Sequence, residues 1–260
     1  MTQTPAVPVS TLATLFEEEN RLLQLASGKY GKYFGHACDA TALLSMFIKS
    51  ANSDREIFVR YISHVKKHHT LSLMSTVRLH KVQAMFNLRF ALESASNAAF
   101  SLCNPALENF FVDGPSSPAR KTEVILRNTY KFLARSLPEY SCALKNVKDN
   151  INATAAHSNI VYTASTFRYD PDVSDTAETP FFDIEDPYFV KTDLWLISNA
   201  AVGIIGMIAA ANEAGRGLEL ADNFLARFSE LMKVNEELRA EFMAGDRYKA
   251  AAALIAQGTK

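Results

Sequence analysis

Two sets of polar residues in this chain have the types and spacing to do chemistry. The first is KDNINATAAHSN, residues 148–159, where Asn150, Asn152 and His157 stand among small residues with few bulky apolar ones. The second is FNLRFALESASNAAF, residues 86–100, where Arg89 and Glu93 lie four apart in a segment apolar on nearly every side. An imidazole titrates near neutral pH and can give or take a proton during a reaction. A guanidinium in apolar surroundings needs a carboxylate, and one at i,i+4 supplies it. Such a pair keeps spare donors and acceptors for another side chain or a ligand. The bland alternative is a polar ladder between helices in which Arg89, Glu93 and His157 satisfy one another.

Helices must position both sets. Pro138-Glu139 opens a helix that runs to about His157, and at 100° per residue Tyr140, Leu144, Val147, Ile151 and Ala155 share its core face. Asn146, Asn150 and His157 then form a stripe at the boundary of buried and exposed surface, with Lys145, Asp149 and Asn152 on the far, solvated side. The helix carrying Arg89 and Glu93 belongs to a pattern from about Leu71 to Leu102, ended at Asn104-Pro105. Upstream, Ser10 caps a helix that Gly28 stops, the loop SGKYGKYFG follows, Asp39 precedes a second helix and Asp54 caps a third. Pro105 starts a short helix, and Ser117-Pro118 opens one reaching about Leu137. Residues 160–185, β-branched and aromatic around the polar turn DPDVSDTAE, predict a β-hairpin. Asp186-Pro187 restarts helix through about Asn212, and two further helices fall at 218–244 and 246–257. The expected fold is an all-α bundle of eight to ten helices with one inserted hairpin, organised as N-terminal helices (1–69) and a helical core (70–260) that form one unit.

A long helix bearing LRFALES, packed beside one that ends in NINATAAHSN, resembles the HEPN superfamily of helical bundles over roughly residues 70–215. The resemblance implies a homodimer acting on RNA in a bacterial defence or toxin–antitoxin type system. Active members are metal-independent ribonucleases with no cofactor. Their motif places an Arg and, after it, a helix-terminal His with four to six residues between them. Here the His is His157, and the Arg window holds Asn150, Ile151 and Asn152. The resemblance therefore implies His157 as acid/base, with Arg89, partnered by Glu93, meeting the phosphate from the neighbouring helix and Asn150 standing in the motif window. An inactive, ligand-binding or purely interacting bundle is the competing expectation.

The bulk composition narrows the alternatives. Hydrophobic residues at 48%, charged residues at 21% and only 10 Gly and 9 Pro describe an ordered globular chain. Net charge is −1, so any nucleic-acid contact must be local. Lys29, Tyr30, Lys32 and Tyr33 in the aromatic-basic loop, together with Lys66 and Lys67, are the expected contacts, since aromatics stack on bases and lysines meet phosphates. His64 and His68 share a helix face as metal ligands would, but Lys66 and Lys67 repel a cation, and no metal site is expected. SGKYGKY lacks the phosphate-loop pattern, and DPDVSD lacks the Gly and Glu of a calcium loop. Cys38, Cys103 and Cys142 are scattered, as in a reduced cytoplasmic protein, and MTQTPAVPVS reads as a short leader rather than a secretory signal. Residues 194–211 are almost wholly apolar over the minimum length of a membrane span. Their Ala and Gly content, two polar residues and lack of a flanking Lys/Arg bias favour a buried helix, with no membrane association.

Overall fold

A computed structural model describes residues 11–110, 118–154, 163, 166, 167, 169 and 177–258. Thr11, one residue later than expected, caps α1 (Leu12–Tyr30) through its side chain to the Thr14 amide. The helix runs through Gly28 and breaks instead at Gly31, whose φ of +52° suits a residue without a side chain. α2 (Lys32–Met46) follows directly, so SGKYGKYFG is a helix–helix joint and not a loop. α3 (Glu56–Val77) and α4 (Lys81–Cys103) divide the long pattern that the sequence ran together. Leu79 turns the chain between them at φ +60°, with no Gly or Pro to announce it. Its ring-free but bulky side chain is buried at 8% exposure, which holds an otherwise unfavourable backbone.

α5 (Pro118–Ser136) and α6 (Pro138–Thr154) start where their prolines predict. α7 (Pro187–Gly215) begins on Asp186, whose carboxylate accepts from the Tyr188 amide at 2.9 Å. α8 (Phe224–Ala244) and α9 (Asp246–Gly258) close the described chain, giving an all-α bundle. α7 is the centre: Leu194, Ile197, Ala201, Ile204, Ile205, Met207 and Ile208 are all fully buried, against α4, α2, α3, α8 and α6. Each large side chain of that run contributes roughly 1.5–3 kcal/mol by leaving water. α7 is long and apolar enough to cross a membrane, and 61% of its apolar window is buried within the bundle.

The close backbone approach on α7 lies at its C-terminal end. Gly203 has open space around it, and a side chain at Gly206 would meet only the rings of Tyr140 and Phe228. At Gly215 a Cβ would lie 2.4 Å from the Leu102 carbonyl oxygen, so backbone meets backbone there. Arg55 seals the same helix end, donating to the Gly215 and Arg216 carbonyls at 3.1 and 2.9 Å, where the helix dipole favours a cation.

The described strands also lie away from the expected position. β1 (Ile48–Ala51) pairs antiparallel with β2 (Leu218–Leu220), Ile48 opposite Leu220 and Ala51 opposite Leu218. Most of the 160–185 stretch lies outside the described residues. Its described end, the expected second strand TPFFDIED, holds no strand. It is instead pinned to the α3–α4 turn: Asp183 accepts from the Lys81 amide at 2.6 Å, its own amide donates to the Leu79 carbonyl at 2.9 Å, and His80 stacks on Phe182.

Candidate functional site

The residues singled out on α4 meet α5 and α6 along a polar seam. Arg89 and Glu93 pair as the i,i+4 spacing predicts, Nε to Oε1 at 3.2 Å, with side chains 34% and 20% exposed. The same Glu93 oxygen lies 3.8 Å from the Lys148 ammonium of α6. Lys148 donates to the Tyr130 hydroxyl at 2.8 Å and sits 4.3 Å from that ring's centroid. One turn further along α4, buried Asn97 accepts from Thr129 of α5 at 2.9 Å. Arg89, Glu93 and Asn97 are thus a polar stripe spaced by four, a signal present in the sequence beyond the first pair.

Beside this seam a cavity of about 320 Å³ opens, lined by Leu92, Ser96, Tyr130, Ser141, Lys145 and Lys148 among others. Asp149 also reaches it, so the charges around the seam are Arg89, Lys145 and Lys148 against Glu93 and Asp149. One positive charge is left over, which favours an anionic occupant.

α6 presents a different side from the expected one. Its core face stands, with Leu144 and Ile151 buried and Val147 half-buried. Asn146 and Asn150 are exposed rather than at a cleft, while Lys145, Lys148 and Asp149 line the cavity. Asn152, expected on the solvated side, is half-buried, and its Oδ1 is buried without a hydrogen-bond partner among the described residues. The reason is packing. α5 and α4 cover the Lys148 side of α6, and one helix's periodicity cannot say which of its two flanking stripes a neighbour will cover. His157 lies outside the described residues.

The expected RNA contacts are mostly spoken for. Lys29 pairs with Glu185 at 2.6 Å while Tyr30 donates to the other oxygen of that carboxylate at 2.9 Å. Lys32 and Tyr33 repeat the arrangement on Glu241, the hydroxyl donating at 3.0 Å. Both rings are buried, at 2% and 5% exposure, and cannot stack on bases. Desolvation and then the carboxylates raise both phenols well above the usual range, so they stay donors. Tyr30 and Tyr33 are thus structural, and all four residues stand on α1 and α2 rather than in a loop.

Lys66 is half-buried and donates to the Ser45 carbonyl at 2.8 Å, and burial lowers its pKa. Only Lys67 of that group is exposed and without a partner among the described residues. His64 and His68 have ring centroids 5.9 Å apart, but His68 bonds Asn87 Oδ1 at 2.9 Å.

Two histidines to which the sequence assigns no role, His36 and His69, are buried. His69 bonds the Ile197 carbonyl at 3.0 Å and Thr41 Oγ1 at 3.3 Å, and burial lowers its pKa to about 4. His36 bonds Asn235 Oδ1 at 3.3 Å beside a cavity of about 240 Å³, and burial lowers its pKa too. Comparison of the chain with protein families, characterised proteins and solved structures finds no match.

Proposed function

We propose that this chain is a HEPN-like helical protein of a bacterial defence or toxin–antitoxin type system that handles RNA at the α4–α5–α6 seam. The observation that carries the reading is the pair of cations, Arg89 and Lys148, that share Glu93 beside a cavity with one positive charge in excess. An RNA phosphate accepts from both without displacing a buried charge. Lys148 takes the role that the resemblance gives to the missing Arg, reached from the α6 side of the seam. In this reading His157 removes the 2′-hydroxyl proton, the freed oxygen attacks the adjacent phosphorus to give a 2′,3′-cyclic phosphate, the P–O5′ bond breaks with the 5′-oxygen taking a proton from water, and His157 returns its proton to solvent. Arg89 and Lys148 meet the charge that builds on the phosphate. The protein acts as a cytoplasmic homodimer.

The test is incubation of purified protein with single-stranded RNA and tRNA, beside His157→Ala and Lys148→Ala. Cleavage lost in His157→Ala, and binding weakened in Lys148→Ala, support the proposal. RNA left intact and unbound by the wild-type protein refutes it.

A second reading, a non-catalytic interaction protein with a structural polar network, is favoured by a specific observation: Arg89, Glu93, Lys148 and Tyr130 already satisfy one another. It expects Arg89→Ala and Glu93→Ala each to lower the melting temperature and the double variant to recover part of the loss. Strict additivity counts against it.

A further inference from the structure

α3, the middle of α4 and the short 3-10 turn Leu107–Phe110 flank another cavity, open to solvent, of about 280 Å³. It is lined by Ile57, Arg60, Tyr61, His64, Ser94 and Phe110. One wall is aromatic: the rings of Tyr61 and Phe110 lie 5.7 Å apart, and Phe110 packs edge-on against Phe100 at 5.4 Å. The polar groups are idle. Among the described residues the Tyr61 phenol, the His64 imidazole and the Ser94 hydroxyl have no hydrogen-bond partner. The contrast with neighbouring helix hydroxyls is instructive, since Ser63, Thr70 and Ser96 each donate to the carbonyl four residues back. Burial raises the Tyr61 pKa, so that phenol stays a donor.

Arg60 stands at the edge. Its Nε and one terminal nitrogen both go to a single oxygen of Glu56, in a pair whose side chains are 72% and 69% exposed. Exposed i,i+4 pairs hold weakly, so an incoming anion exchanges with Glu56 at little cost. Among the described residues no carboxylate lines the cavity itself.

We propose that this cavity binds a small aromatic molecule bearing one anionic group, with its ring against Tyr61 and Phe110, its anion on Arg60, and its ring substituents on Tyr61, His64 and Ser94. A guanidinium fork suits a carboxylate or a phosphate equally. Offset or edge-on ring contacts add selectivity for a planar ligand over a merely apolar one. Tyr61 and Ser94 are half-buried and His64 is exposed, so a ligand replaces water on these groups and their positions set its orientation. The proposal does not depend on RNA handling at the seam.

Titration calorimetry tests it with 4-hydroxybenzoate, phenyl phosphate and, as a non-aromatic control, cyclohexanecarboxylate. The expected result is saturable binding of one or both aromatic anions and none of the control. Binding of the benzoate alone identifies an aromatic acid, and of the phosphate alone an aryl phosphate ester. Arg60→Ala is expected to weaken affinity about tenfold, as loss of a charge-assisted bond does, and Ser94→Ala by a smaller factor. Both substitutions preserve the fold, which thermal melting checks. Three results each overturn the proposal: no binding of either aromatic anion, equal binding of the control, or an affinity unchanged in either variant.

Discussion

Acidification should unlock the core at His69. The ring is fully buried in α3, and because the Ile197 carbonyl can only accept, Nε2 carries the proton of the neutral form. Burial lowers its folded pKa to about 4 from an ordinary value of 6.5. A base depressed in this way contributes stability that is complete above about pH 6.5 and is lost as pH falls towards 4, because the unfolded chain takes up the proton first. At 1.36 kcal/mol per pKa unit, the loss is about 2 kcal/mol by pH 5 and about 3 kcal/mol by pH 4. The perturbation is His69→Gln, which removes the titration and keeps an amide to reach Ile197. Urea unfolding followed by circular dichroism at pH 8 and pH 5 gives the comparison. The wild-type protein should lose about 2 kcal/mol more than the variant between the two, roughly 0.7 M in midpoint for a slope near 3 kcal/mol/M. His36, shifted the same way, and Asp193, shifted upward by burial, are present in both proteins and cancel in the difference. Equal pH dependence in the two proteins would refute the assignment.

Other expectations follow from the geometry. Gly215→Ala should cost about 2–3 kcal/mol, because its Cβ meets the Leu102 backbone, whereas Gly203→Ala should be neutral or stabilising by up to about 1 kcal/mol; thermal melts of the two separate them. Lys81→Met removes the ammonium 3.0 Å from buried Asp193 and should cost about 3 kcal/mol at pH 8. The loss should shrink on acidification, since a lone buried carboxylate has a raised pKa and regains stability once protonated; a loss independent of pH counts against the pairing. Glu93→Gln should lower stability by about 1–2 kcal/mol, because it leaves Arg89 and Lys148 facing each other, and Lys148→Met in that background should return part of it.

The helices with local signals were readable: Pro118, Pro138 and Asp186-Pro187 mark starts that the structure keeps. What escaped reading was set by distant partners. The turn at Leu79 carries no turn residue and exists because Leu79 is buried and Asp183 grips the next helix's first amide. IKSA and LEL are too short to display a strand period, and each is a strand only because the other lies beside it. At the candidate site the i,i+4 pair was legible because its partners sit on one helix. Lys148 was not, because its approach to Glu93 is a property of how α6 lies on α4. The Lys-Tyr repeats read as nucleic-acid contacts for the same reason: their carboxylates, Glu185 and Glu241, are more than 150 residues away.

The ribbon of β1 and β2 bears on how the chain is born. Ile48–Ala51 cannot find its partner until Leu218–Leu220 has left the ribosome, about 170 residues later. At roughly 5–20 residues per second that is about 10–30 s during which an edge of backbone amides, and the α2 face that α7 and α8 will cover, stand open to other chains. β1 meets that interval with Lys49 and Ser50 on its exposed positions and only four residues of length, a strand too short and too charged to recruit a stranger before its own partner arrives.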